Sequence, residues 1–132
     1  MKEQFVTYEI ALKLKEKGFD EPCLANYYVT EKELIPYRGY PDEGDEDTHF
    51  SVCSNSEATD VWVTAPLWQQ VTDWLREKHN LDIMVRQINK DGKAYYKITK
   101  IETEDKIKGY SNFCDTTTIA RQTAIEKAIT LI

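Results

Sequence analysis

The residue types best suited to chemistry in this chain are three cysteines, Cys23, Cys53 and Cys114, and two histidines, His49 and His79. His49 and Cys53 lie four apart beside the acidic run DEGDED at 42–47, a spacing that would bring two zinc ligands near carboxylates. A structural zinc site requires a full tetrahedral ligand set in paired spacing, and no C-x-x-C or H-x-x-x-H pair completes this one. Asp45 and Asp47 alternate, but the run lacks the glycine and the distal glutamate of a calcium loop. No metal is therefore expected. A cysteine nucleophile, paired in space with a base such as His79, needs a lowered pKa from that base or from a helix N-terminus. Cys114 precedes an expected helix and has the best claim on such a dipole, yet Asp115 beside it opposes thiolate formation. The five glycines, Gly18, Gly39, Gly44, Gly92 and Gly109, are scattered, so there is neither a phosphate-cradling loop nor a nucleophile elbow. Adjacent carboxylates arise by chance among 23 Asp and Glu and discriminate nothing. No catalytic residue and no cofactor is expected.

Binding is the chemistry that remains. Tyr37 and Tyr40 bracket Arg38 and Gly39, a composition suited to recognition, and Asp42, Glu43, Asp45, Glu46 and Asp47 follow at once. These residues form the candidate surface for an unidentified protein partner. Packed like charges with few apolar anchors also predict a mobile, solvated loop over 42–48. Tyr27, Tyr28, Phe50 and Trp62 complete an aromatic cluster in the same half. Rings on edge strands commonly cover a core and leave the hydroxyl wet, so a core lid is the stronger reading for these. Stacking on single-stranded nucleic acid would need a positive channel. Residues 1–60 carry 6 Lys and Arg against 14 Asp and Glu, and the remainder carries 11 against 9. Direct nucleic-acid binding is not expected.

The chain that must position these groups has 132 residues, of which 41% are apolar and 30% charged, with net charge −6 and pI ≈ 5.0. That length predicts a single domain, 1–132, burying roughly two-thirds of its unfolded surface without help from disulfide or metal. No apolar run approaches the roughly 18 residues of a membrane span, and MKEQFVTYEI has no signal-peptide core. A cytoplasmic protein with reduced thiols and no membrane partner is expected.

Three helices are predicted. Tyr8–Lys17 has Thr7 as N-cap and Gly18 as a left-handed stop, with Phe19 placed to touch Leu14. In 64–81, Pro66 suits a first turn and Asn80 a stop. Leu67, Trp68, Val71, Trp74 and Leu75 fall within about 120° of arc, which reads as a core face, with a partner groove as the alternative. Thr117–Leu131 aligns Ala120, Ala124, Ala128 and Leu131 on one side, with Arg121 reaching out of the apolar half. The firmest strands are 82–88 and 93–101, joined by NKDG. Cys23–Thr30 and Lys32–Tyr37 form a weaker hairpin whose Pro36 marks an edge, and 60–64 is a short strand. The order predicts an α+β fold, a mostly antiparallel sheet with about three helices packed on it.

The segments FVTYEIALKLKEKGFDEPC (5–23), APLWQQVTDWLREKHNL (65–81) and TAIEKAITLI (123–132) resemble a family of small uncharacterised proteins of phages, prophages and other mobile elements of gut bacteria. The stretch 38–60 departs from that pattern, being longer and more acidic. The resemblance implies a phage-related origin and a bacterial cytosol, and supplies no activity or site residue. The expected function is non-enzymatic and works through protein–protein interaction. The alternatives are an acidic nucleic-acid mimic that occupies a host DNA-binding protein and, less favoured, a thiol or acid-pair enzyme.

Overall fold

The computed structural model describes residues 2–36, 52–57, 60–101 and 106–132. The chain gathers into two compact units, Met1–Leu67 and Trp68–Ile132. The fold is α+β, with antiparallel strands divided between two three-stranded sheets and three helices packed on them.

In the first unit a short 3-10 turn, Lys2–Gln4, leads to α1, Tyr8–Glu16. The Thr7 hydroxyl accepts from the Ile10 amide at 3.4 Å and caps the helix start. At the other end Gly18 adopts φ +86°, which a side chain would oppose. Its amide donates to the Lys15 carbonyl, and the Phe19 amide donates to the Leu14 carbonyl at 2.9 Å. This paired closure draws Phe19 and Leu14, both buried, to the same side of the helix end. Three short strands follow: β1 Ala25–Tyr28, β2 Leu34–Pro36 and β3 Trp62–Thr64, in the order β2-β1-β3. Pro36 lies on an edge strand, where its missing donor does no harm. Tyr27 is buried, with its hydroxyl donating to the Val6 carbonyl at 2.7 Å and its ring edge-on to Tyr8. Tyr28 and Trp62 face each other across β1 and β3 with ring centroids 5.0 Å apart. These aromatics serve the core and the sheet.

The second unit opens with α2, Trp68–His79, two residues beyond the expected proline. Pro66 stands outside the helix because the preceding backbone is already engaged. The Ala65 amide donates to Ala25, the Pro66 carbonyl accepts from Val6, and Leu67 bridges Phe5. Trp68, Val71, Trp74 and Leu75 are all buried, so these four form a core face, while Leu67, expected with them, is half-buried and precedes the helix. Asn80, at φ +55°, turns the chain into β4, Leu81–Gln87. β4 pairs with β5, Ala94–Lys100, and β5 with β6, Lys106–Cys114, in the order β4-β5-β6. The β4–β5 turn is held by Asn89, whose side-chain oxygen accepts from the amides of Asp91 and Lys93, with Gly92 at φ +86°. β6 is a strand the residue pattern does not announce: KIKGYSNFC has a glycine in its interior and no clean alternation. The last helix, α3, Thr117–Thr130, is capped by the Thr116 hydroxyl and packs on all three strands through Ala120, Ala124, Ile125, Ala128 and Ile129. Small side chains at that seam let the helix lie close to the sheet.

Candidate partner-binding cleft

The eight candidate binding residues, Tyr37, Arg38, Tyr40, Asp42, Glu43, Asp45, Glu46 and Asp47, lie outside the described residues, as does His49. The expected mobility of 42–48 falls there too. Among the described residues, no group of three or more His, Cys, Asp or Glu is placed to hold a metal ion. Burial pushes the Cys23 thiol up to about 12 and raises the Cys53 thiol as well, with neighbouring carboxylates adding in the same direction. Raised values keep both mainly as thiols, so neither is activated in the way a catalytic cysteine is. His79 packs edge-on against Trp74 at 4.5 Å, and burial holds its imidazole below the ordinary value.

Within the second unit, α2, β4 and α3 enclose a cleft of about 310 Å³. Trp68, Ile83 and Val85 supply its apolar surface, and Gln69, Thr72, Arg76 and Arg121 its polar rim. The sequence places them by simple repeats. Trp68, Thr72 and Arg76 recur every four residues along α2, while Ile83 and Val85 alternate on one face of β4. Most of the rim is internally engaged. The Thr72 hydroxyl donates to the Trp68 carbonyl at 3.0 Å, and the Gln69 amide donates to Asp73 at 3.0 Å. Arg76 contacts Asp73 at 3.4 Å and Asp82 at 3.1 Å, with all three side chains near 45% exposed. Such wet pairs orient the guanidinium more than they stabilise the fold.

Arg121 differs. It is exposed on the first half of α3 and, among the described residues, makes no ion pair or hydrogen bond. Its planar fork of donors therefore stands beside the apolar side chains of Trp68, Ile83 and Val85, with no acceptor taken among the described residues. A carboxylate flanked by an apolar side chain matches that combination in charge, geometry and hydrophobicity. Among the described residues the cleft shows no base beside a nucleophile: Asp73 is tied to Arg76, and the Thr72 hydroxyl to its own helix. The residue pattern revealed that Arg121 leaves the apolar half of α3, but not that α2 and β4 would build a cleft beside it.

The chain matches no protein-family model, no curated protein and no solved structure. Among the described residues, no helix is long and apolar enough to cross a membrane.

Proposed function

We propose that this is a non-enzymatic interaction protein, encoded by a phage, prophage or related mobile element and working in the bacterial cytosol. Its second unit docks a segment of another protein that presents a carboxylate beside an apolar side chain. The observation that carries this reading is the Arg121 guanidinium, without a partner among the described residues, in a cleft it shares with the apolar side chains of Trp68, Ile83 and Val85. The resemblance of 5–23, 65–81 and 123–132 to mobile-element proteins supports the origin. The segment Tyr37–Asp47 supplies a second recognition surface of opposite charge.

A displayed peptide library screened against the purified full chain tests the reading. Enriched peptides should carry Asp, Glu or a free C-terminus next to an apolar residue. Arg121→Glu should weaken them by about tenfold or more, the worth of a charge-assisted hydrogen bond, while leaving the melting curve in place. Equal binding by the parent and Arg121→Glu would contradict it. Enrichment of basic peptides that depend on 42–47 would point instead to the acidic mimic.

A further inference from the structure

The two cysteines of the first unit stand directly opposite each other. The Cys23 amide donates to the Cys53 carbonyl at 2.9 Å, and the Cys53 amide returns a bond to the Cys23 carbonyl at 3.1 Å. In such an antiparallel pair both side chains leave the same face, with Cα atoms about 5.5 Å apart, inside the range a disulfide spans. The Cβ atoms of this pairing start farther apart than the about 3.8 Å of a relaxed disulfide, so closure must draw the two segments together. The bridge is isolated, outside any of the six strands, which leaves the 53 side free of a regular ladder that would resist the movement. Access is graded: Cys23 is fully buried and Cys53 half-buried.

We propose that Cys23 and Cys53 form an intrachain redox pair that a low-molecular-weight disulfide such as oxidised glutathione converts to a cross-strand disulfide. Cys53, the more accessible, attacks first. Its sulfur bonds to one glutathione sulfur, the glutathione S–S bond breaks, and one glutathione leaves as thiolate and takes up the Cys53 proton. Cys23 then attacks the Cys53 sulfur and expels the second glutathione, which takes up the Cys23 proton. Two protein thiols are oxidised, and one glutathione disulfide is reduced to two thiols. High thiol pKa values make closure slower than at an exposed cysteine, and the imposed approach makes the bond easily reduced. The bond would tie the residues after α1 to the 52–57 turn. It would also enclose the acidic run 42–47 in a covalent loop.

Cys114 provides an internal control, because Ala94 and not a cysteine faces it across the ladder. The test treats the reduced full chain with excess oxidised glutathione, counts thiols after denaturation and maps linked peptides by mass spectrometry. The thiol count should fall from three to one, with the Cys23 and Cys53 peptides joined. Excess reduced glutathione should restore all three without denaturant. Cys53→Ser should abolish the linkage, and Cys114→Ser should leave it intact. Three remaining thiols, a mixed disulfide at Cys53 that never resolves, or a linkage through Cys114 would each overturn the proposal.

Discussion

The two units solve the problem of a small core differently. In the first, with strands of only 4, 3 and 3 residues, polar side chains turn inward and one of them, Asn55, holds backbone. Among the described residues every buried polar side chain, Asn26, Ser54, Asn55 and Thr64, belongs to this unit. Asn55 is its clamp. The Asn55 amide donates to the Phe19 carbonyl at 2.7 Å, and its oxygen accepts from the Thr64 amide at 3.1 Å. Asp20 adds an outer tie, accepting from the Ser56 amide at 2.6 Å, and that bond holds its carboxyl below the usual range. In the second unit, with strands of 7, 7 and 9 residues, the buried residues are apolar and polar side chains border the cleft. Short strands leave more backbone without ladder partners, and side chains then have to supply them. Long strands satisfy their own backbone through the ladder.

The largest expected effect tests the apolar half of that contrast. Trp74 is 6% exposed, and Trp74→Ala should cost about 3–5 kcal/mol in denaturant unfolding, enough to unfold or nearly unfold a typical small domain. A stable Trp74→Ala protein that had lost only binding would turn the stripe back into a partner groove. Next comes the clamp. Asn55→Ala strands a buried carbonyl and a buried amide together, and should cost about 2–4 kcal/mol by the same measurement. A loss below that range would mean that water replaces the clamp and that the first unit does not depend on it.

A smaller effect of opposite sign sharpens the contrast. The Asn26 side-chain oxygen and the Thr64 hydroxyl, opposite one another across β1 and β3, are buried without a hydrogen bond of good geometry. The Thr64 hydroxyl faces the Cys23 thiol, whose ionised form it would favour. Removing an unsatisfied buried hydroxyl with a residue of the same shape should stabilise the unit, so Thr64→Val should gain up to about 1 kcal/mol. A loss on that substitution would show that the hydroxyl has a partner after all.

The smallest effect concerns His79. Burial lowers its folded-state pKa below the ordinary 6.5. Between those two values the unfolded chain binds more protons than the folded one. Stability from this group is therefore full above pH 6.5 and is lost as pH falls through the folded value. Melting temperatures followed from neutral pH downward should drop less in His79→Gln than in the parent. A larger drop in the variant would reverse the sign of the shift.

The same contrast explains what the residue pattern could disclose. The face Trp68, Val71, Trp74 and Leu75 and the stops at Gly18 and Asn80 were legible because periodicity and backbone preference are local. The β4–β5 turn was half legible: Asp-Gly marked it, but the residue that organises its amides is Asn89. β6 was missed because its residues neither alternate nor favour strand, and its place is set by pairing with β5. Asn55 sits in SNSE, which reads as a solvated turn; only the position of Phe19 and β3 turns it inward. The cleft was equally hidden, because three elements far apart in sequence assemble it.

The central functional claim is that Arg121 receives a carboxylate, and the side-chain Nε–H signals of the arginines test it most directly by NMR. The chain has four, Arg38, Arg76, Arg86 and Arg121, so the spectrum is simple to assign. Titration with the most enriched library peptide should move the Arg121 signal along a saturable curve that matches the binding isotherm, with Arg86 unmoved. Saturable peptide binding with the Arg121 signal left in place would contradict the claim.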